Sequence, residues 1–167
     1  MKLKQMGAAA VWLVTAGVLA GGIALPRVGL KKVGDHVPAA GAQLDMQEIG
    51  TAFSIEPFDS AAWLLIVTSS CPFCLGLDEE LSALREEAKC ANAQLTALVV
   101  EMGAPPDSML TLLAKHRIQR VGLGQQTTLN VLQTSAVPSV LRLDAEGRVL
   151  SVANPAIDGS WPMKCER

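Results

Sequence analysis

The run AAWLLIVTSSCPFC, from Ala61 to Cys74, constrains this chain more than any other stretch. Its first part, Ala62 to Thr68, is continuously apolar, contains β-branched residues and is closed by polar turn residues. It is too short for a helix and too apolar for a strand with one wet face, so it reads as a strand buried on both sides in a parallel sheet. The pattern then changes at once: in PFCLGLDEELSALREEAKC, Leu77, Leu81 and Leu84 recur at helical spacing while Asp78, Glu79, Arg85 and Glu86 take the other faces. That is an amphipathic helix with a soft spot at Gly76. QLTALVVEM, Gln94 to Met102, is a second buried strand, and Pro105 and Pro106 open a second helix, DSMLTLLAKHR. Such a β-α-β-α succession demands parallel strands joined by a right-handed crossover.

The flanking stretches are less regular. IGTAFSIEPFDS, ahead of the first strand, carries only weak extended segments, and Gln119 to Gln126 is a glycine-containing loop followed by a short helix in TTLNVLQTS. VPSVLRLDAEGRVLSV then gives two alternating strands joined by DAEG, with Gly147 where a positive φ is needed. The expected class is therefore α/β, a central mixed sheet flanked by helices.

With 167 residues the chain has room for one domain and an appendage. The appendage is at the start: after Lys2 and Lys4, MGAAAVWLVTAGVLAGGIAL runs to Leu25 without a charge, long enough for a transmembrane helix. A cleaved signal peptide, with Gly22 and Ala24 as its small-x-small site, and a buried helix are the alternatives. The expected organisation is a membrane anchor over 1–26, a Pro-, Gly- and Lys-rich tether over 27–40 and a domain over 41–167. A net charge of −2, no basic stripe and no Tyr argue against a nucleic-acid partner. Four cysteines behind such a segment fit an oxidising compartment, the periplasm or an equivalent exocytoplasmic space.

Cys71 and Cys74 admit three chemistries. A structural zinc site wants four ligands, and Cys90, Cys165, His36 and His116 stand alone in the sequence. A static staple across one helical turn removes little entropy from the unfolded chain. Redox exchange fits the placement better: Cys71 falls where a strand hands over to a helix N-terminus, a setting that favours the thiolate nucleophile, and Cys74 one turn on can resolve the mixed disulfide. Pro72 suits the first helical turn. No cofactor is required for this chemistry.

WLLIVTSSCPFC, together with SAVPSVLRLDAEGRVLS further on and a lead-in like VGDHVP, resembles the thioredoxin fold, and in particular the membrane-anchored TlpA/ResA-like thiol–disulfide oxidoreductases, over roughly Val33 to Val152. The resemblance implies that Pro138 follows a cis peptide bond facing the cysteines and that the backbone of Val137 pairs with the client protein. It also implies a membrane protein of the thiol-transporting type as electron donor. Two departures stand out. Ser70 replaces the Trp that usually precedes the first Cys, and Leu65 occupies the strand position where classical thioredoxins bury an acid, leaving Asp78, Glu79 and Glu80 as candidates, more simply read as a solvated face.

The reading that follows is a thiol–disulfide oxidoreductase acting on protein cysteines, working as a reductase. One rival is a peroxiredoxin-like peroxide reductase, since Thr68 and Cys71 fit T-x-x-C, although Leu64 stands where that pattern wants Pro. Another is a non-enzymatic envelope binding or assembly module on the same fold. Cys90 and Cys165 are a possible structural disulfide pinning the C-terminal tail. Trp63 and Trp161 read as packing residues, and His36 and His116 as ordinary surface residues.

Overall fold

A computed structural model describes residues 37–102 and 106–154. The anchor, most of the tether, His36, Trp161 and Cys165 lie outside these residues, and so does the Cys90–Cys165 pairing. Among the described residues no helix is long and apolar enough to cross a membrane.

The elements follow in the order α1 (Met46–Ala52), β1 (Ala62–Val67), α2 (Pro72–Leu75), α3 (Asp78–Cys90), β2 (Gln94–Glu101), α4 (Asp107–Lys115), β3 (Val121–Gln125), a 3-10 helix (Gln126–Leu132), β4 (Ser139–Leu143) and β5 (Val149–Ala153). The strands form one mixed sheet in the order β3-β2-β1-β4-β5. β1 pairs parallel with β2, and β2 with β3, while β4 runs antiparallel to both β1 and β5. The expected parallel pair and terminal hairpin are both present.

All six residues of β1 are buried, because both faces of the sheet are covered. Leu64, Ile66, Leu98, Val100 and Leu141 pack on one face against Ile49, Phe53, Leu129 and Leu132 of α1, its C-cap and the 3-10 helix. Trp63, Leu65, Val67, Ala97 and Val99 pack on the other against Leu81, Leu84 and Ala88 of α3 and Met109 and Leu113 of α4. Trp63 is thus a core residue, 3% exposed.

Three local expectations need correction. The stretch read as weakly extended, from Ile49 on, begins inside α1. Asp45 caps it, its Oδ1 accepting from Gln47 N at 2.9 Å and Glu48 N at 3.0 Å, and Ile49 and Phe53, four apart, both point into the core. The single helix expected after Pro72 is two helices, since Gly76 caps α2, its N–H donating to Pro72 O at 3.1 Å and Phe73 O at 3.2 Å before α3 starts anew. And the loop expected over Gln119 to Gln126 contains β3.

Gly122 and Gly124 hid β3, since glycine weakens a strand unless something must come close. Here Phe53 comes close. A Cβ on Gly122 would sit 2.8 Å from Phe53 Cβ and 3.0 Å from Phe53 O, and one on Gly124 would sit 2.7 Å from Phe53 Cε1. Leu123 N donates to Phe53 O at 3.1 Å, so the glycines let β3 dock directly against the end of α1. Gly147, at φ +82°, turns the β4–β5 hairpin as expected, with Asp144 Oδ1 accepting from Glu146 N at 3.1 Å and Arg148 N at 2.8 Å.

Overpacking of this kind costs about 1–3 kcal/mol. Gly122→Ala should therefore lower the unfolding free energy by that amount, read as a lower urea midpoint with the m-value unchanged. An unchanged midpoint would show that Phe53 yields at no cost and does not hold β3 in place.

Candidate redox site

Cys71 is the N-cap of α2, extended at φ −96° and ψ 114°, with Pro72 in the first helical turn. Its Sγ accepts a hydrogen bond from Cys74 N at 3.3 Å, the position a capping oxygen usually fills. Its carbonyl accepts from Cys74 N at 3.0 Å and Leu75 N at 3.3 Å. Because α2 is a single turn, the sulfur meets this one directed N–H rather than the end of a long helix. Both Cys71 and Cys74 are free thiols.

The two differ sharply in access. Cys71 is half-buried, whereas Cys74 is 0% exposed and packs with Trp63, Leu65, Val67, Leu77 and Leu81. Burial pushes the Cys74 thiol well above its usual value, and the hydrogen bond with Cys71 raises it further. The buried Leu65 contributes no carboxylate. Asp78 is held elsewhere: its carboxylate accepts from Lys115 Nζ at 2.7 Å and meets His116 Nε2 at 2.6 Å, and these hydrogen bonds hold it below the usual carboxylate range. It is thus an ion-pair anchor joining α3 to α4 and not simply part of a solvated face.

His116 is likewise no ordinary surface residue. Its side chain is only 10% exposed, with Nδ1 in contact with Ser82 Oγ at 2.9 Å, and its carbonyl accepts from Arg85 at 3.1 Å. The partners lie more than thirty positions away in sequence, so only the packing of α4 on α3 reveals them. Among the described residues, no three of His, Cys, Asp and Glu converge on a point where a metal ion would sit.

The Val137–Pro138 bond is cis, and Cys71 Sγ lies 3.9 Å from Val137 O. Residues that drew no notice in the sequence hold this loop. Thr134 Oγ1 accepts from Ala136 N at 3.2 Å, Ser139 Oγ donates to Ala136 O at 2.8 Å, and Asn154 Nδ2 donates to Ser139 Oγ at 3.1 Å, all three side chains being buried. A serine at the start of β4 and an asparagine just past β5 were the available signal, because buried polar groups are kept only where they are hydrogen-bonded.

Beside Cys71, Thr68 Oγ1 contacts Ser70 Oγ at 3.1 Å and accepts from Ser70 N at 3.3 Å. This hydroxyl closes a local turn, and Ser70 takes part in it. Arg142 stacks over Trp63 at 5.0 Å, toward the other end of β1. The Thr–Arg arrangement over Cys71 that peroxide reduction would require is not formed by these two residues.

No protein-family model matches the chain, and no curated protein matches it. Among solved structures it is similar to the thioredoxin domain of a thiol–disulfide oxidoreductase from Bacteroides vulgatus, at 11% identity over 69% of this chain and 88% of that one, with a TM-score of 0.48. It is also similar to the N-terminal domain of PilB from Neisseria gonorrhoeae (18% identity, 64% and 82% covered, TM-score 0.47). A secreted disulfide oxidoreductase of Mycobacterium tuberculosis homologous to E. coli DsbE is a third (19% identity, 74% and 92% covered, TM-score 0.41). The strand order, the cysteine pair at the first strand–helix junction and the cis proline facing it make the chain's own architecture thioredoxin-like.

The burial of Cys74 has a consequence for stability. An acid whose value is raised on folding stabilises the protein fully below its unfolded value and loses that contribution as pH rises above it. The reduced protein should therefore lose stability as pH climbs past 9.0, the ordinary thiol value, and Cys74→Ala should flatten that decline whatever its effect at neutral pH. Denaturant midpoints from about pH 8 to 10.5 span this range; parallel profiles for the two proteins would mean that Cys74 is not kept neutral by the fold.

Proposed function

We propose that this chain is a thiol–disulfide oxidoreductase acting on protein cysteines, with Cys71 as nucleophile and Cys74 as resolving residue, working as a reductase. The asymmetry of the pair carries the reading: an accessible sulfur receives an amide N–H, and a fully buried thiol lies one turn beneath it. Attack requires access and negative charge at one sulfur, while resolution requires only that the second stay close and shielded.

The Cys71 thiolate attacks one sulfur of a client disulfide, the client S–S bond breaks, and the other client sulfur leaves as a thiolate that takes up a proton. Cys74 gives up its proton and attacks Cys71 Sγ, forming the Cys71–Cys74 disulfide and releasing the second client sulfur. Two electrons pass to the client, and a dithiol donor must return them; a membrane protein of the thiol-transporting type would do so. Val137 presents backbone to an extended client segment, and Pro138, lacking an N–H, ends that pairing. In this reading residues 1–26 anchor the domain to a membrane with its site in the periplasm or an equivalent space, and a Cys90–Cys165 disulfide fastens the tail.

The test is trapping in the full-length protein. Cys74→Ser should accumulate a mixed disulfide with a protein substrate through Cys71, and Cys71→Ser should form none and fall to background activity. Wild-type protein in dithiol/disulfide buffers should show a reversible two-electron transition below the potential of the glutathione pool. A transition well above it would reverse the assigned direction. A pair that never exchanges with the buffer would leave a binding module in place of the enzyme.

A further inference from the structure

Phe73, between the two cysteines, is 69% exposed and belongs to neither core cluster, and Leu75 on the same short helix is 40% exposed. Single exposed apolar residues are common and by themselves mean little. The surroundings of this one are unusual. In a chain with 18% charged residues, none occurs from Ser60 to Leu77 or from Val121 to Leu141. The fold brings these two stretches together at one sulfur: Cys71 is in the first, Val137 in the second, and Cys71 Sγ lies 3.9 Å from Val137 O. The nearest charge along the chain, Asp78, is tied to Lys115 and His116.

A protein disulfide reaching Cys71 must bring its flanking residues against this face, since an S–S bond is only about 2.05 Å long. Neither contributing segment offers a side chain for a salt bridge, so recognition by these two segments falls to apolar contact and backbone hydrogen bonds. An aromatic side chain that folding leaves in water is the group with most to gain from being covered, and aromatic anchors dominate protein interfaces for that reason.

Building on the oxidoreductase reading, we infer that Phe73 is the client anchor: it selects extended, uncharged segments with an apolar residue beside the reacting cysteine. Ser70 is small and polar, which leaves Phe73 the large exposed apolar group of the Cys71–Cys74 turn.

Two oxidised peptides, identical except that the cysteine is flanked by Leu in one and Glu in the other, test this with full-length protein. Wild type should favour the Leu peptide by about tenfold in kcat/KM, the discrimination expected of roughly 1.4 kcal/mol of apolar contact. Raising the salt from about 0.05 to 0.5 M should change its kcat/KM for that peptide less than about twofold. Phe73→Ser should erase the preference through KM rather than kcat, and Phe73→Leu should keep most of it. Leu150→Ser, at a 50% exposed apolar position on β5, should leave the ratio as in wild type. A preference for the Glu peptide, or a Phe73→Ser loss that falls on kcat equally for both peptides, would overturn the inference. Wild type reducing both peptides equally would overturn it while leaving the oxidoreductase reading intact; reducing neither would sink both.

Discussion

The site depends on β1 being paired in opposite senses on its two sides. Parallel pairing with β2 requires a helical return, so the chain must leave the sheet at the C-terminal end of β1, and Cys71 is on that exit. Antiparallel pairing with β4 sets Ile66 opposite Ser139, which puts the residues just before β4 at that same end. Val137 and Pro138 therefore meet Cys71 across 66 positions of sequence as a consequence of register, and the 3.9 Å contact between Cys71 Sγ and Val137 O records that meeting. A register slip of one residue would turn every side chain of β4 to the other face. The two hydrophobic layers over β1 prevent such a slip, so core packing fixes the geometry of the sulfur.

What the sequence made legible follows from this. β1, β2 and the β4–β5 hairpin were visible because continuous apolar runs and a DAEG turn are written residue by residue. The cysteines were visible because their spacing is local. β3 was hidden because its defining property belongs to another element: Gly122 and Gly124 read as loop residues until Phe53 is known to press on them. α1 is a marginal case, since Asp45 and Glu48 already form a capping pattern ahead of Ile49 and Phe53, but seven residues hold too few repeats for periodicity to stand out. His116 and Asp78 look like solvent-facing residues of separate helices, and only the docking of α4 on α3 joins them.

Polar groups near the site divide into two sets. Thr68 with Ser70, and Thr134 with Ser139 and Asn154, satisfy one another and the backbone of the loops that carry Cys71 and Val137. Ionic groups are instead drawn into the α3–α4 seam, where Asp78, Lys115 and His116 meet. This separation holds the loops through neutral hydrogen bonds, which salt does not screen, while the two segments that meet at Cys71 carry no charged residue. It also leaves Cys74 without a carboxylate on β1 or at Asp78 to take its proton.

That lack is met in part by the pair itself. Three causes raise the Cys74 thiol: burial first, then its hydrogen bond with Cys71 and the charge on Cys71. The second and third exist only while Cys71 is an unreacted sulfur. On the proposed mechanism, formation of the mixed disulfide makes Cys71 neutral and ends its role as hydrogen-bond partner, so both influences vanish and burial alone remains. Cys74 is thus hardest to deprotonate when its thiolate would serve no purpose, and becomes easier when a client is bound. The backbone contact with Thr68, which favours the charged form, persists throughout and then has less to oppose it. On that mechanism resolution would be coupled to attack through the electrostatics of two sulfurs, without a dedicated base.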